Sequence, residues 1–176
     1  MKPRTTNPME FPMVSNAQDY RTLLRLFRIN CSSGGSQTRG EQLCETAAGI
    51  SNSDSAALYL FPKKSTNKNG GRATWLTFSA GRGGTALPRR IPATGSCMEI
   101  LLDNDRAAVQ LTPKGPFPEL LIDPSSVSAL AIYTETSPGE RGILVLNSRL
   151  PYHYSGTHIE LIEELAALIR ANRGGD

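Results

Sequence analysis

Residues 127–149 read VSALAIYTETSPGERGILVLNSR, two apolar segments on either side of a Ser-Pro-Gly-Glu turn. Short runs of this kind, rich in aliphatic and β-branched residues and bounded by turn residues, are typical of buried strands. The segment therefore predicts strands at residues 128–135 and 141–147, paired as an antiparallel hairpin through the tight turn.

Three further strands are predicted upstream of this hairpin. They are AALYLF at residues 56–61, ATWLTFSA at 73–80 and AAVQL at 107–111. The loop GRGGTALPRR that follows the second of them leads to Pro88 and Pro92 rather than directly into a helix. It therefore lacks the strand–turn–helix context that a dinucleotide-binding fingerprint requires.

Four helices are predicted, each by a Ser or Thr that is followed three residues later by Glu or Gln, the spacing of a capping box. The capping residues are Ser15, Thr38, Ser96 and Thr157. A short helical turn is expected at residues 119–122. This order predicts an α+β fold, with helices packed on one face of an antiparallel sheet and a smaller cap on the other.

The length of 176 residues and the 39% of hydrophobic residues predict one globular domain at residues 15–173. Residues 1–14, rich in proline, are expected to form a flexible arm, and residues 174–176 a tail. Apolar runs fall far short of the roughly 18 residues that a membrane span needs, and the N-terminus lacks the apolar core of a signal peptide. Cys31, Cys44 and Cys97 form no CxxC pair, so reduced thiols and a cytoplasmic location are expected.

The charge is distributed unevenly along the chain. Residues 55–98 hold seven of the 19 basic residues and no Asp or Glu, which leaves 12 basic and 16 acidic residues elsewhere. Such a segment can mark a face for an anionic ligand or for nucleic acid, or it can consist of solvated loops around a hairpin. We expect an anionic or carboxylate-bearing ligand rather than a cationic one, and a nucleic-acid face is the weaker interpretation.

The order and spacing of these elements resemble a GAF domain, the small-molecule sensing module related to PAS domains. The resemblance covers about residues 17–169. It rests on the helix pair before SAALYLF, on ATWLTFSAG, on the IPATGS turn, on AAVQL, and on VSALAIYT, GILVLNSR and the closing HIELIEELAALI helix. It implies a five- or six-stranded antiparallel sheet, with the terminal helices behind it and short helices roofing a pocket in front.

The resemblance implies a non-catalytic signalling module that binds a small molecule and relays it through the last helix to a partner or output domain. The Asn-Lys-Phe-Asp-Glu motif of cyclic-nucleotide-binding members is absent, and no cofactor or metal is assigned. Free methionine sulfoxide reductases of this fold use several pocket cysteines, whereas Cys97 alone is placed for a pocket here. The candidate ligand-binding residues are Trp75, Phe78, Ser96, Cys97, Ile100, Asp123 and Tyr133.

The alternative function is a thiol-based redox sensor or a small redox enzyme centred on Cys97. If Ser96 caps the short helix, the thiol lies at the helix N-terminus, where the helix dipole lowers its pKa. Cys97 can equally be a small apolar core residue. His153 and His158 do not lie at a metal-binding spacing, and His158 is expected at the surface or partly packed in the first turn of the last helix.

The last helix carries more apolar residues than one contact with a sheet requires. We therefore expect part of its apolar arc to contact a second copy of the chain in a homodimer. The candidate dimer residues are Leu161, Leu165 and Leu168.

Overall fold

The computed structural model describes residues 36–61, 75–83, 87–104, 107–137 and 139–171. The predicted arm, the first predicted helix and the tail lie outside these ranges. Within them the chain forms three α-helices, α1 (Ser36–Ser51), α2 (Cys97–Asn104) and α3 (Gly156–Ala171), and a 3₁₀ helix at Pro118–Leu120. The strands are β1 (Ser55–Leu60), β2 (Trp75–Arg82), β3 (Arg90–Pro92), β4 (Ala107–Gln110), β5 (Ser128–Ser137) and β6 (Glu140–Ser148).

The six strands form one antiparallel sheet in the order β3-β2-β1-β6-β5-β4. The predicted hairpin is confirmed, since β5 and β6 pair from Ser128 opposite Ser148 to Ser137 opposite Glu140. Gly142 lies opposite Leu60 in the centre of the sheet, where a Cβ atom would come within 2.5 Å of the Tyr59 carbonyl oxygen. The glycine therefore allows β1 and β6 to approach closely.

One face of the sheet carries α1 and α3. Leu58 of β1, Leu130 and Ile132 of β5, and Leu144 and Leu146 of β6 point to this side, at the alternating positions that a strand presents to one face. Leu43, Cys44 and Ala47 of α1 pack on them together with Leu161, Ile162 and Leu165 of α3. The two longer helices thus share one core.

The opposite face carries α2 and the 3₁₀ helix. Ala57, Ala129, Ala131 and Val145 point to this side, and Met98, Leu101 and Leu120 pack against them. The predicted α+β architecture, with longer helices on one face and short elements on the other, is confirmed.

Three local predictions differ from the structure. Thr38, predicted as a capping residue, lies inside α1, which already includes Ser36. Strand β3 was not predicted because it has three residues and ends in a proline, too short to show an alternating pattern. Helix α3 begins at Gly156, so the capping residue is Ser155 and not Thr157. The Ser/Thr-x-x-Glu spacing occurs at Thr157 and Glu160, but these residues lie inside the first turn.

The surplus apolar arc of α3 is smaller than predicted. Leu161 and Leu165 are buried within the chain itself, and Leu168 is half-buried. The reason is that α3 packs on α1 as well as on the sheet, so a second intrachain surface covers the arc that we assigned to a partner.

Thr134 on β5 is expected to limit stability. Its hydroxyl oxygen is buried and has no hydrogen-bond partner among the described residues. Replacing Thr134 by Val should stabilise the fold by about 1 kcal/mol, because the substitution removes a desolvated polar group and keeps the shape. Urea denaturation measures this change.

Thr136, two residues later on the same strand, is the matched control. Its hydroxyl donates to the Glu140 carboxylate at 2.8 Å. Thr136→Val should therefore be neutral or destabilising. A loss of stability in Thr134→Val similar to that in Thr136→Val would contradict the assignment.

Candidate functional site

A cleft of about 150 Å³ opens at the edge of the layer formed by α2. It lies between α2, the turn before that helix, and the connection between β5 and β6. Its lining residues are Phe61, Ala93, Thr94, Glu99, Leu102, Asp103, Gly139 and Arg141. Pockets for drug-sized ligands commonly have volumes of about 300–1,000 Å³. The volume of this cleft is below that range, so the cleft suits only a small molecule.

Arg141 is the basic residue among those that line the cleft, and its exposed side chain contacts three neighbours. Its guanidinium carbon lies 6.0 Å from the centroid of the Phe61 ring and 5.9 Å from that of Tyr133. One guanidinium nitrogen, Nη2, also donates a hydrogen bond to the carbonyl of Leu102 on α2. A guanidinium held between two aromatic rings is a preorganised partner for a carboxylate or phosphate.

Two carboxylates share the cleft with Arg141. Glu99 and Asp103 are four residues apart on α2 and therefore lie on the same side of the helix. The Glu99 carboxylate accepts a hydrogen bond from the backbone N–H of Gly95 at 2.9 Å. The cleft thus presents both charge signs to a ligand.

The acid-free segment at residues 55–98 contributes none of these charges. Of its residues that the structure describes, Phe61, Ala93 and Thr94 line the cleft. Four of its seven basic residues, Lys63, Lys64, Lys68 and Arg72, lie outside the described residues. Among the described residues, the basic group at the cleft is therefore Arg141, which lies outside the segment.

Cys97 is the first residue of α2, as predicted, but its environment is the opposite of the expected one. The side chain is only 4% exposed, and the Glu119 carboxylate accepts a hydrogen bond from the backbone N–H of Cys97 at 2.9 Å. Burial, and then the negative charge of Glu119, raise the pKa of the Cys97 thiol to about 12. The helix N-terminus stabilises the Glu119 carboxylate in place of a thiolate, so the predicted lowering of the pKa was wrong.

Ser96 caps α2 as predicted. Its hydroxyl accepts from the backbone N–H of Met98 at 3.2 Å and lies 3.0 Å from the carbonyl of Pro92, to which it donates. These contacts give the Ser96 hydroxyl a structural role at the start of α2. Ser96 is not among the residues that line the cleft.

Three aromatic or aliphatic candidates lie either at the surface or in the core on the α2 side of the sheet. Trp75 is 50% exposed at the start of β2, Ile100 is 56% exposed on α2, and neither of them lines the cleft. Phe78 is half-buried and packs edge-on to Tyr59, with the ring centroids 5.8 Å apart. Of the seven predicted residues, Tyr133 is the one that contacts the cleft, through Arg141.

Asp123 lies at the other end of the sheet, in a buried polar network around Asn147. The amide oxygen of Asn147 accepts from the backbone N–H of Asp123 at 2.9 Å, and its amide nitrogen donates to the carbonyl of Leu120 at 2.9 Å. Burial alone would raise the pKa of Asp123, but hydrogen bonds from Ser125 outweigh it and hold that pKa below its usual value. Asn147 and Arg141 are six residues apart on β6, about 20 Å along a strand. Asp123 is therefore remote from the cleft.

Sequence reasoning missed Arg141, Glu119 and Asn147. Asn147 had a recognisable signal, a polar residue at the end of the apolar run GILVL. Arg141 and Glu119 had none, since each is a charged residue in or next to a proline- or glycine-containing segment, where charged side chains are usually solvated. Their roles depend on what the fold brings next to them.

The described part of the chain contains no group of three or more His, Cys, Asp or Glu side chains arranged to hold a metal ion. Among the same residues, none of the helices is both long and apolar enough to cross a membrane.

Comparisons with known proteins support the fold. No family model matches the sequence, and no curated protein matches it either. A free methionine-R-sulfoxide reductase from Neisseria meningitidis, solved with its substrate, is 16% identical, covers 94% of both chains and superposes with a TM-score of 0.74. A putative GAF sensor protein from Burkholderia vietnamiensis is 16% identical, covers 95% of both chains and has a TM-score of 0.68.

A third similar structure belongs to a longer chain. It is a bacteriophytochrome from R. palustris, 12% identical, with a TM-score of 0.61; the match covers 93% of this chain and 39% of that one. The matching structures therefore include both sensors and reductases. At these identities the likeness concerns the fold, and on that evidence the chain has a GAF-like fold.

Proposed function

We propose that the chain is a sensory domain that binds a small carboxylate-bearing molecule in the cleft beside Arg141. The position of the Arg141 guanidinium, between Phe61 and Tyr133 at the mouth of the cleft, carries this proposal. Glu99 and Asp103, which line the same cleft, favour a ligand that also carries a positive charge, such as a small zwitterion.

Strand β5 offers a physical route from the cleft to α3. Tyr133, which contacts Arg141, follows Ile132 in the strand, and successive side chains point to opposite faces. Ile132 belongs to the core that α3 covers. A ligand that moves Arg141 and Tyr133 would therefore act on the packing of α3, which we propose relays the signal to a partner or an output domain. The bacteriophytochrome has this fold within a longer chain, of which the match covers 39%.

Replacing Arg141 by Ala should weaken binding about 30-fold or more, because it removes one partner of a charge-assisted hydrogen bond. A thermal-shift screen of free amino acids and small dicarboxylates on the wild type identifies a ligand by a raised Tm. Calorimetry with that ligand then compares the variants.

Arg82→Ala is the matched control. Arg82 donates to the carbonyl of Glu45 at 3.3 Å on the α1 side of the sheet, and its loss changes the net charge equally. We expect unchanged binding in this variant. A ligand that binds Arg141→Ala as tightly as the wild type would place its site elsewhere.

Thiol chemistry at Cys97 is the alternative to a sensory function, and it has to be considered because several of the similar structures are methionine sulfoxide reductases. We propose that the chain is not such a reductase, since the Cys97 thiol is buried and protonated. Incubation with free methionine-R-sulfoxide and a thiol reductant should give no turnover. Turnover that Cys97→Ser abolishes would establish the enzyme instead.

The homodimer also stays a proposal. Of the three residues first assigned to it, Leu168 keeps the largest exposed part. Light scattering at high concentration tests the assembly, and a wild-type monomer would refute it.

A further inference from the structure

The connection between β6 and α3 holds two histidines against the end of α1. The ring nitrogen Nε2 of His153 donates to the carbonyl of Ser51, the last residue of α1, at 2.6 Å. The His153 and His158 rings stack with their centroids 5.5 Å apart and their planes 19° from parallel. Tyr154 is packed edge-on to both rings. The start of α3 and the end of α1 are therefore joined through this ring cluster.

His158 caps the N-terminus of α3. Its Nδ1 atom accepts a hydrogen bond from the backbone N–H of Ser155 at 3.1 Å, and the Ser155 hydroxyl lies at the same distance. In a capping box a Glu or Gln three residues after the capping residue performs this role. Because a backbone N–H can only donate, Nδ1 must carry no proton, and the cap requires the neutral imidazole.

Protonation of His158 is unfavourable in this position for three reasons. It places a proton on the atom that accepts from Ser155. It also puts a positive charge at a helix N-terminus, the end that the helix dipole makes positive. The ring is half-buried and stacked on His153, so part of the charge would be desolvated next to a second imidazole.

The charged and titratable neighbours do not offset this penalty. From the β6–α3 connection, His153 and Tyr154 face His158. The α1–β1 connection contributes the carboxylate of Asp54, which accepts from the backbone N–H of Arg149 at 2.7 Å. On α3 itself Glu160 follows two residues later, about 200° around the helix. Burial first, and then His153, hold the pKa of His158 below its usual value.

We propose that His158 is a pH-dependent cap of α3, and that its protonation releases the first turn of α3 and loosens that helix from the end of α1. The proton would be a second input to the helix, independent of a ligand in the cleft. The cap lies beyond the Asn147 end of β6, and Arg141 lies at the other end.

The direction of the pH effect follows from the lowered pKa. In the unfolded chain His158 takes up its proton near pH 6.5, the ordinary value, and the folded chain resists this. The contribution of the cap to stability is thus fully present above about pH 6.5 and is lost as the pH falls towards the lower folded pKa.

His158→Gln is the matched variant, because a Gln side chain accepts the same hydrogen bond and does not titrate. Between about pH 7.5 and pH 5 the Tm of the wild type should fall by about 2–4 °C more than that of His158→Gln. The protection factors of the Ser155 and Ile159 amides, which correct hydrogen exchange for its intrinsic dependence on pH, should fall at the lower pH in the wild type only. Equal pH dependence of the two proteins would overturn the proposal.

NMR titration of the wild-type imidazoles gives a test that does not depend on the variant. We expect the His158 ring to titrate below about 6.5. A pKa at or above that value would show that the folded chain accepts the proton without penalty, and the proposal would fail.

Discussion

Cys97 in the native protein should react with iodoacetamide on the order of a thousand-fold more slowly than in the urea-unfolded chain. A pKa of about 12 leaves roughly 10⁻⁵ of the thiol ionised at pH 7, whereas an ordinary cysteine is a few per cent ionised. The 4% exposure of the side chain slows the reagent further. Peptide-resolved mass spectrometry measures the rate separately from those of Cys31 and Cys44.

Glu119→Gln separates the effect of charge from that of burial. Gln can still accept the hydrogen bond from the backbone N–H of Cys97, but it removes the negative charge beside the thiol. Labelling of Cys97 should become about ten-fold faster or more in this variant. Cys44, whose pKa burial raises to about 12, serves as an internal reference and should not change. Rapid labelling of native wild-type Cys97 would favour the redox alternative.

Replacing Asn147 by Ala should destabilise the fold by about 3 kcal/mol. Asn147 is buried, and its amide group satisfies the backbone N–H of Asp123 and the carbonyl of Leu120. Without the amide group of Asn147, both backbone groups lose their hydrogen-bond partner inside the protein. Each buried group without a partner lowers the free energy of unfolding by about 1–3 kcal/mol. Urea denaturation followed by circular dichroism gives the change in the free energy of unfolding.

Asn104→Ala is the control for this substitution. The Asn104 amide donates to the carbonyl of Ile100 on the exposed end of α2, and its removal should change stability by no more than about 0.5 kcal/mol. Ligand binding in folded Asn147→Ala should match that of the wild type, because the cleft is at the other end of β6. Equal stability of Asn147→Ala and the wild type would contradict the network.

The sequence predicted the elements whose pattern is local and repeated. Strands β5 and β6 and helix α3 have long apolar patterns with turn or capping residues at their ends, and each was found within about two residues of its predicted bounds. Strand β3 and the capping residue of α3 were missed for a local reason. A three-residue strand is too short to show an alternating hydrophobic pattern. Thr157 and Glu160 have the spacing of a capping box, but they lie inside the first turn of α3 and do not cap it.

The candidate site could be predicted only in part. Cys97 was correctly placed at the start of a helix, but its pKa is raised by burial and then by the negative charge of Glu119, which is 22 residues away in the chain. Tyr133 was selected as an aromatic residue on a strand. Its contact with Arg141 follows from the register of β5 against β6, in which Tyr133 lies opposite Ile143.

By itself the sequence determined the α+β class, the hairpin and the two-sided sheet, because hydrophobic periodicity acts over a few residues and can be seen along the chain. The tertiary structure determined the surroundings of the charged and titratable groups. It placed Glu119 at the N-terminus of α2, Arg141 near two aromatic rings, and His158 as the hydrogen-bond acceptor for Ser155. Electrostatic energies depend on distances and burial between residues that are remote in sequence, and those quantities exist only once the chain is folded.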